Sequence, residues 1–511
     1  REVFFIIKLK NNLRRIVLNK SLLYILLIYF STPMFSKVWN VGGESEYKFC
    51  SQVEGLAENG DTIIIAEDTY NGDRQVTWSK NNLLIRGTGK NTILVAGESI
   101  ANDQSNGKGI FVIKGSNTTV ENITFSNAKV ESGNGAGIRL EGVNLDVRYC
   151  RFFGNEMGIL QGGKISDCRV LIEYCEFNNN GNSKNPGYQH NIYINYVDTL
   201  IFRFNLSMNA VASGHEFKSR AYNSFIMYNR ISNTNSVDSR NIDLPNGGTA
   251  VIVGNIIEQG EESENSNIIG YGLEGLKNPT PNNLWIANNT IINNKSKGSF
   301  VNIVDGTDSL VLYNNVMVGA KTGGLIIGTP KYLDSASNFI NNDVNSAGLK
   351  DISKLDFTPL ENSPLVDNGK ITKDENDNLI IIKGHELFRY FEYITPVESE
   401  ISGNKARNNS DGKLDIGAYE YLKEIPSKVD DYNDKVVVFP NPVSDELNLI
   451  INKSFRNGEI NIIDIIGNEV YSSKMISNLT KINTSKFLQG SYIIVLKLDD
   501  ISISRKFIVE R

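Results

Sequence analysis

One short pattern recurs along the middle of the chain and constrains the fold more than any other feature. Between residues 117 and 319, an apolar residue is followed three positions later by Asn, Cys or Ile, and then by another apolar residue. The third-position residues lie 24 to 34 residues apart: Ile123, Cys150, Cys175, Asn205, Asn229, Asn255, Asn289 and Asn315. Such a repeat of short strands, without helical periodicity, predicts a right-handed parallel β-helix whose coils stack on one another.

The recurring asparagine has a physical reason. In stacked coils, side-chain amides at equivalent positions can hydrogen-bond to one another along the axis and to the turn backbone, which satisfies buried polar groups. We call this row of stacked side chains the column. Cys150 and Cys175 occupy the same position in adjacent coils, so we expect free thiols in the column. The chain has 4 cysteines among 511 residues, too few for a disulfide scaffold.

The two ends of the chain have the composition of targeting and export segments. Residues 1–36 carry a basic stretch, the apolar run from Leu22 to Phe30 and a small residue at Ser36, which predicts a signal peptide. The run is too short for the roughly 20 residues that span a bilayer. We expect the β-helix over 37–422, a charged linker over 423–435 and a small β-sandwich over 436–511.

The last segment contains four motifs in a fixed order. They are VFPNPVSDELNL (438–449), IIDIIGNEV (462–470), LQGSYIIVL (488–496) and KFIV (506–509). Together they resemble the C-terminal sorting domain of the type IX secretion system of Bacteroidetes-type bacteria. The resemblance implies that the type IX machinery exports the protein across the outer membrane, to the cell surface or beyond, usually with removal of the tail.

The net charge of the chain limits the classes of ligand that it can bind over a large surface. A net charge of −6 gives no electrostatic footprint for nucleic acid, so any polyanion must be bound at a local site. In a β-helix such a site lies on an outward face, where equivalent residues of successive coils form rows. Four consecutive coils carry QHNIYIN (189–195), GHEFKSR (214–220), SRNIDLP (239–245) and SNIIGYG (266–272).

Alternation along these strands predicts which side chains face outward. With Ile192, Phe217, Ile242 and Ile268 inward, one outward row contains Asn191, Glu216, Asn241 and Asn267. The next contains Tyr193, Lys218, Asp243 and Ile269, with Arg220 beyond Lys218 and with His190, His215 and Arg240 stacked at the strand edge. This concentration of charge is either a functional site or a ladder of ion pairs across coils that only stabilises the fold.

The stretch GHEFKSRAYNSFIMYNRI (214–231) resembles a segment of the chondroitinase B and alginate lyases of polysaccharide lyase family six. The resemblance implies β-elimination of an acidic polysaccharide, with calcium neutralising the uronate carboxylate, a lysine base and an assisting arginine. On this resemblance Lys218 is the base, Arg240 the assisting arginine, and Glu216 and Asn191 are calcium ligands.

Other roles and other functions stay open at this point. Tyr193 is an alternative base or acid, and Arg220 is a like charge that favours a neutral Lys218 amine. His190, His215, Asn241 and Asp243 are expected to bind substrate. Glu216 and Asp243 are also spaced as the carboxylate pair of an inverting glycoside hydrolase, and a non-catalytic glycan-binding adhesin needs neither arrangement.

Overall fold

The structure is a computed structural model of the chain. It describes residues 36–101, 106–182, 184–234, 236–321, 324–370, 381–382, 385–386, 391–393, 404–407, 413–421, 436–451, 457–464, 468–475, 477–499 and 501–510. These residues fall into two compact units, divided between Tyr421 and Leu422. The predicted signal peptide, apart from Ser36, and the predicted linker lie outside the described residues.

The first unit is built from three long parallel sheets, each of which receives one strand from successive coils. Sheet 1 contains Val38–Val41, Thr62–Ile65, Leu84–Gly87, Thr118–Glu121, Leu145–Arg148, Arg169–Glu173, Thr199–Arg203, Asn223–Met227, Thr249–Val253, Asn283–Ala287, Ser309–Tyr313 and Tyr332–Ala336. Sheet 2 contains Asp68–Asn71, Thr92–Val95, Thr124–Ser126, Arg151–Phe153, Glu176–Asn178, Leu206–Met208, Arg230–Ser232, Ile256–Gln259, Thr290–Asn293, Val316–Gly319 and Phe339–Asn341. Sheet 3 contains Val76–Trp78, Gly109–Ile113, Ala136–Leu140, Met157–Gln161, Ile192–Ile194, Phe217–Ser219, Ile242–Leu244, Asn267–Tyr271, Ser299–Ile303 and Ile326–Ile327. The predicted parallel β-helix is confirmed.

The inside of the coils is apolar, because every second side chain of each strand points into it. Phe125, Phe152 and Phe177 stack there with ring centroids 5.2 and 4.7 Å apart and nearly parallel planes. These rings are fully buried, and their spacing follows from the spacing of the coils themselves. Equivalent positions in successive coils therefore carry the same side chain, and each ring packs on the ring of the preceding coil. This packing fixes the register between coils.

The predicted asparagine column is also present. Nδ2 of Asn205 donates to Oδ1 of Asn229 at 3.1 Å, and the same bond joins Asn229 to Asn255 at 2.9 Å. Each amide also donates to a backbone carbonyl of the preceding coil, as Asn229 does to Phe202 at 2.9 Å. The column continues in the same way through Asn289, Asn315 and Asn338.

The two cysteines of the column take over part of this role. Cys150 Sγ lies 3.7 Å from the carbonyl of Val120, and Cys175 Sγ lies 3.6 Å from that of Val147, the carbonyl positions that amides contact in later coils. Both are free thiols and buried, as expected. A thiol is a weak donor, so these two rungs are held less tightly than the asparagine rungs.

From the strand Thr118–Glu121 onward, a left-handed residue precedes the column residue in each of nine coils and makes the corner between sheets 1 and 2. Their φ angles lie between 51° and 68° at Asn122, Tyr149, Tyr174, Phe204, Tyr228, Gly254, Asn288, Asn314 and Ser337. This region disfavours residues with a Cβ atom, so the strain must be offset by the repeated packing and hydrogen bonds on either side. The corner is thus a fixed structural element of these nine coils.

A ladder of alternating charges runs up the outer side of sheet 1. Arg86, Glu121, Arg148, Glu173 and Arg203 occupy equivalent positions in successive strands. Neighbours contact at 2.6, 3.5, 2.7 and 2.7 Å in that order. We call this row the sheet 1 charge ladder.

Short elements complete the first unit. Antiparallel pairs join Leu349–Asp351 to Asp356–Pro359, Ile381–Ile382 to His385–Glu386, and Phe391–Tyr393 to Asn404–Ala406. The 3₁₀ turns are Cys50–Gln52, Glu98–Ile100, Val344–Ala347 and Ile352–Lys354. Phe357, Leu365, Ile416 and Ala418 pack against sheet 2 residues such as Val316 and cover part of that sheet.

The second unit has two antiparallel sheets around its own apolar core. One contains Val436–Phe439, Glu446–Ile451 and Leu479–Asn483, and the other contains Glu469–Met475, Gly458–Asp464, Gly490–Leu498 and Ile501–Val509. The predicted small β-sandwich is confirmed. Two of its strands, Glu469–Met475 and Leu479–Asn483, are polar and exposed along much of their length.

Candidate functional site

The candidate site lies on the outer side of sheet 3. Strand register aligns Tyr193 with Lys218 and Lys218 with Asp243, so the predicted row of these three residues is correct. The next member is Gly270 rather than Ile269, because Ile242 pairs with Ile269 and not with Ile268. The row then continues to Asn302. A Cβ atom at Gly270 would meet Arg240 and Asp243, so the missing side chain makes room for Arg240 beside Asp243.

A second row forms at the start of the same strands, as predicted. The backbone N–H of His215 donates to Nδ1 of His190 at 3.0 Å, and that of Arg240 donates to Nδ1 of His215 at 3.1 Å. The two imidazoles stack with centroids 4.9 Å apart. Because Nδ1 accepts in both rings, a neutral imidazole must carry its proton on Nε2.

Both histidines are held in this neutral form. Burial lowers the pKa of His190 well below its usual value, and the positive charge of Lys218 acts in the same direction. Burial also lowers the pKa of His215, helped by Lys218 and Arg240. Nε2 of His215 lies 3.4 Å from an oxygen of Asp243, so this ring donates towards the carboxylate without adding a charge.

Asp243 is the centre of a charged network. Its carboxylate accepts Lys218 Nζ at 3.0 Å and Arg240 Nη1 at 3.3 Å, and it is 2% exposed. Arg240 Nε in turn donates to Oδ1 of Asn267 at 2.5 Å. Lys218 also lies 3.7 Å from Glu274. Two carboxylates thus contact the amino group of Lys218.

Arg220 links the network to the phenol of Tyr193. Its Nε donates to the Tyr193 hydroxyl oxygen at 2.9 Å, and its Nη1 lies 2.8 Å from Glu274. Arg220 also donates to Oδ1 of Asn246. The guanidinium holds the pKa of Glu274 below its usual range. Since the phenol oxygen accepts this bond, its own proton is free to point elsewhere.

Sequence reasoning missed Glu274 and Asn246. Glu274 follows Tyr271, the last residue of its strand, and Asn246 follows a strand that ends at Leu244, so both lie in loops outside the repeat. The strand pattern carried no signal for them. The lone acidic residue in YGLEGLKN was the available clue, and it has no equivalent in neighbouring coils.

The prediction that Asn191, Glu216 and Asn241 form an exposed row is wrong. All three are 0% exposed, because the residue before each inward Ile or Phe also points into the coil at this corner. Glu216 accepts from the amide of Asn191 at 2.6 Å and from the backbone N–H of Ala210 at 2.8 Å. Asn241 donates to the carbonyl of Glu258 at 3.0 Å. These side chains satisfy the inside of the coil rather than face a ligand.

Glu216 has a second carboxyl group close by. Burial and the neighbouring Asp238 raise the pKa of Glu216 well above its usual value. Burial likewise raises the pKa of Asp238, although Ser263 and Asn233 donate to it and oppose the shift. The interior therefore holds two acids that favour their neutral forms at the usual pH of such a protein.

The residues predicted as calcium ligands do not fit that role. The oxygens of Glu216 and Asn191 are used inside the coil, where Asn191 Oδ1 accepts from Asn180 at 2.9 Å. Among the described residues there is no group of three or more His, Cys, Asp and Glu side chains arranged to hold a metal ion. No step of the chemistry is therefore assigned to calcium.

Comparison with known proteins identifies the tail and the fold. Residues 437–510 match the family described as secretion system C-terminal sorting domain. No match to the whole chain is found among curated protein sequences. The tail shows that the protein is exported by type IX secretion to the cell surface or the extracellular space. The chain is thus an exported parallel β-helix protein.

The solved structures that are similar to the chain are distant from it. An alginate lyase from Paenibacillus sp. is 15% identical with a TM-score of 0.35, over 58% of this chain and 99% of that one. Pectin methylesterase PemA from Erwinia chrysanthemi is 12% identical with a TM-score of 0.29, over 58% and 81%. A Geobacillus virus E2 protein, ORF18, is 13% identical with a TM-score of 0.30, over 56% of this chain and 52% of its own length. At these values the similarity is one of fold, and function has to be argued from the site.

Within the part of the chain that the structure describes, we find no helix with the length and apolar character needed to cross a membrane.

Proposed function

We propose that the protein is an exported polysaccharide lyase that cleaves a uronate-containing polymer by β-elimination. The observation that carries this proposal is the outer face of sheet 3, where Tyr193, Lys218, Arg220 and Arg240 come from adjacent coils. These residues supply a proton-transfer group beside several cations. Export by a sorting domain suits an enzyme whose substrate is too large to enter a cell.

The reaction defines what such a face must do. The C5–H bond next to the uronate carboxylate breaks and its proton goes to a base, and the negative charge spreads over the carboxylate. The C4–O4 bond then breaks, a C4=C5 double bond forms, and O4 receives a proton. A cation at the carboxylate lowers the barrier because it stabilises the charge that develops there.

The geometry favours a division of roles that differs from the one based on family resemblance. Lys218 forms ion pairs with Asp243 and Glu274, and Arg240 forms one with Asp243. We assign Lys218 and Arg240, as the cations of this face, to the uronate carboxylate. Tyr193 is assigned to proton transfer, because its hydroxyl oxygen accepts a hydrogen bond from Arg220 and its own proton is free to point towards a substrate.

The test is an assay of the full chain with alginate, polygalacturonate and chondroitin substrates, following the ultraviolet absorbance of the new C=C bond. Tyr193→Phe removes one hydroxyl, and we expect kcat to fall by about 10²- to 10⁴-fold. Lys218→Ala should also abolish the signal, whereas Lys218→Arg, which keeps a charge that cannot act as a base, should retain part of it. Tyr196→Phe is the matched control and should behave as wild type.

Three results would contradict this assignment. Full activity of Tyr193→Phe together with loss in Lys218→Arg would make Lys218 the base. New reducing ends without ultraviolet absorbance would indicate a hydrolase, for which Asp243 and Glu274 are the carboxylates on this face, since Glu216 is buried inside. Binding of polymer without any cleavage would leave a glycan-binding surface protein.

A further inference from the structure

Arg139 stands in the same outward row as the candidate site. It lies on Ala136–Leu140 of sheet 3, where it pairs with Leu160, and Leu160 pairs with Tyr193 in the following coil. Three strand spacings of about 4.8 Å separate Arg139 from Lys218, which gives roughly 14 Å along the axis. Nothing in the repeat pattern singled this residue out.

The guanidinium of Arg139 is left without a partner. In the described part of the chain it forms no ion pair, and its Nε is shielded from solvent with no acceptor. Burial lowers the pKa of Arg139, and the only opposing influence is Glu141. Glu141 is itself bound by Lys108. A half-buried guanidinium with unmet donors is costly unless an acceptor comes from outside the protein.

The surroundings of Arg139 hold its guanidinium in place. A Cβ atom at position 162 would collide with Nη2 of Arg139, so Gly162 makes room for the guanidinium itself. On the site-facing side, Leu160 packs with Ala136 and Met157 in a buried cluster, and the partly exposed Tyr193 packs against it. Arg139 therefore lies at one end of the row, and the proposed proton-transfer group lies two strands further on.

We propose that Arg139 binds an anionic group, a carboxylate or a sulfate, on a sugar of the polysaccharide outside the cleaved unit. The glycan then runs along the stacking axis of sheet 3, from Arg139 past the partly exposed Tyr193 to the charged network. This inference rests on the proposed function for the identity of its ligand as an acidic polysaccharide. A single sugar ring cannot bridge the distance to Lys218, so the site recognises several units of the polymer.

Binding, rather than cleavage, is the primary test. The full chain is run in affinity electrophoresis through gels containing alginate, polygalacturonate, chondroitin sulfate or neutral dextran. We expect Arg139→Ala to weaken retardation by an acidic polymer by about 10- to 100-fold, the range for a hydrogen bond to a charged group, and to leave dextran unchanged. Arg139→Gln repeats the test with a polar side chain of similar length, and Arg139→Lys should keep much of the affinity.

The matched control is Arg169→Ala, which removes an arginine from sheet 1, where Arg169 pairs with Asp146 at 2.6 Å. Equal losses in Arg169→Ala and Arg139→Ala would show general electrostatics and overturn the proposal, as would unchanged binding by Arg139→Ala. Loss of affinity for all three acidic polymers supports the proposal and identifies a carboxylate, which all three carry. Loss confined to chondroitin sulfate also supports it and identifies the sulfate.

The experiment also separates this inference from the proposed function. If no polymer is cleaved but Arg139→Ala still loses affinity, the binding site stands and the lyase assignment fails. If cleavage is confirmed and Arg139→Ala raises KM on long chains at unchanged kcat, both stand. If cleavage is confirmed and Arg139→Ala alters neither KM nor affinity, only the inference about Arg139 fails.

Discussion

Sheets 1 and 3 both carry charged side chains on their outer sides, but the charges are arranged differently. In the sheet 1 charge ladder, acids and bases alternate, so Glu121, Arg148 and Glu173 each have an opposite charge above and below. On sheet 3, three cations meet two carboxylates, beside a phenol and two neutral histidines. Alternation explains the first as a structural device. The second gathers its charges beside a phenol and two neutral imidazoles, groups that a ladder of ion pairs does not require.

The two arrangements also differ in exposure. The arginine side chains of the sheet 1 charge ladder are 28% to 49% exposed, whereas Lys218 is 11% and Asp243 is 3% exposed. Solvent and salt screen the first set and reach the second set poorly. An ion pair in sheet 3 therefore costs more to break, and its field acts more strongly on a bound ligand.

The largest expected effect comes from removing one carboxylate from each sheet. Asp243→Asn leaves Lys218 and Arg240 without their shared anion in a nearly buried site, and we expect a loss of about 3 kcal/mol in the free energy of unfolding. Glu121→Gln, whose partners Arg86 and Arg148 are 49% and 28% exposed, should cost about 1 kcal/mol or less. Urea denaturation followed by circular dichroism measures both, and equal losses would remove the distinction between the two sheets.

A smaller effect concerns the two acids inside the coil, Glu216 and Asp238. Burial raises the folded-state pKa values of Glu216 and Asp238 above their ordinary values of 4.5 and 3.8. Above those values the unfolded chain releases protons that the folded chain keeps, so stability falls as pH rises from about 4 towards neutrality. We expect Glu216→Gln combined with Asp238→Asn to flatten this dependence. A slope that the double variant leaves unchanged would place its origin elsewhere in the molecule.

The smallest expected effect is that of salt. At 1 M ionic strength the Debye length is about 3 Å, so the sheet 1 charge ladder should contribute a few tenths of a kcal/mol less than in dilute buffer. The melting temperatures of wild type and Glu121→Gln should then converge, while the gap between wild type and Asp243→Asn persists. Convergence of both gaps would mean that solvent screens sheet 3 as well.

The sequence correctly predicted the positions that recur in every coil. It did not predict residues that lie in corners and loops, where the repeat is interrupted. Column members such as Asn229 recur at one position, so their stacking followed from spacing alone. Tyr193, Lys218 and Asp243 were placed correctly because they alternate with inward residues. Glu216 was placed wrongly because these strands of sheet 3 are only three residues long, as in Phe217–Ser219, and alternation does not extend into the corner before them. Glu274 lies in a loop, and a loop has no repeating pattern from which its position could be predicted.

The thiols of Cys150 and Cys175 can be oxidised once the protein has left the cytoplasm. Compartments beyond the inner membrane are oxidising, and adjacent coils about 4.8 Å apart bring the two backbones within the range that a disulfide accepts. In the folded coil both sulfurs are sealed from solvent and directed at backbone carbonyls. An oxidant meets them only while the chain is still unfolded. The order in which folding and oxidation occur during export therefore decides whether this column keeps its thiols.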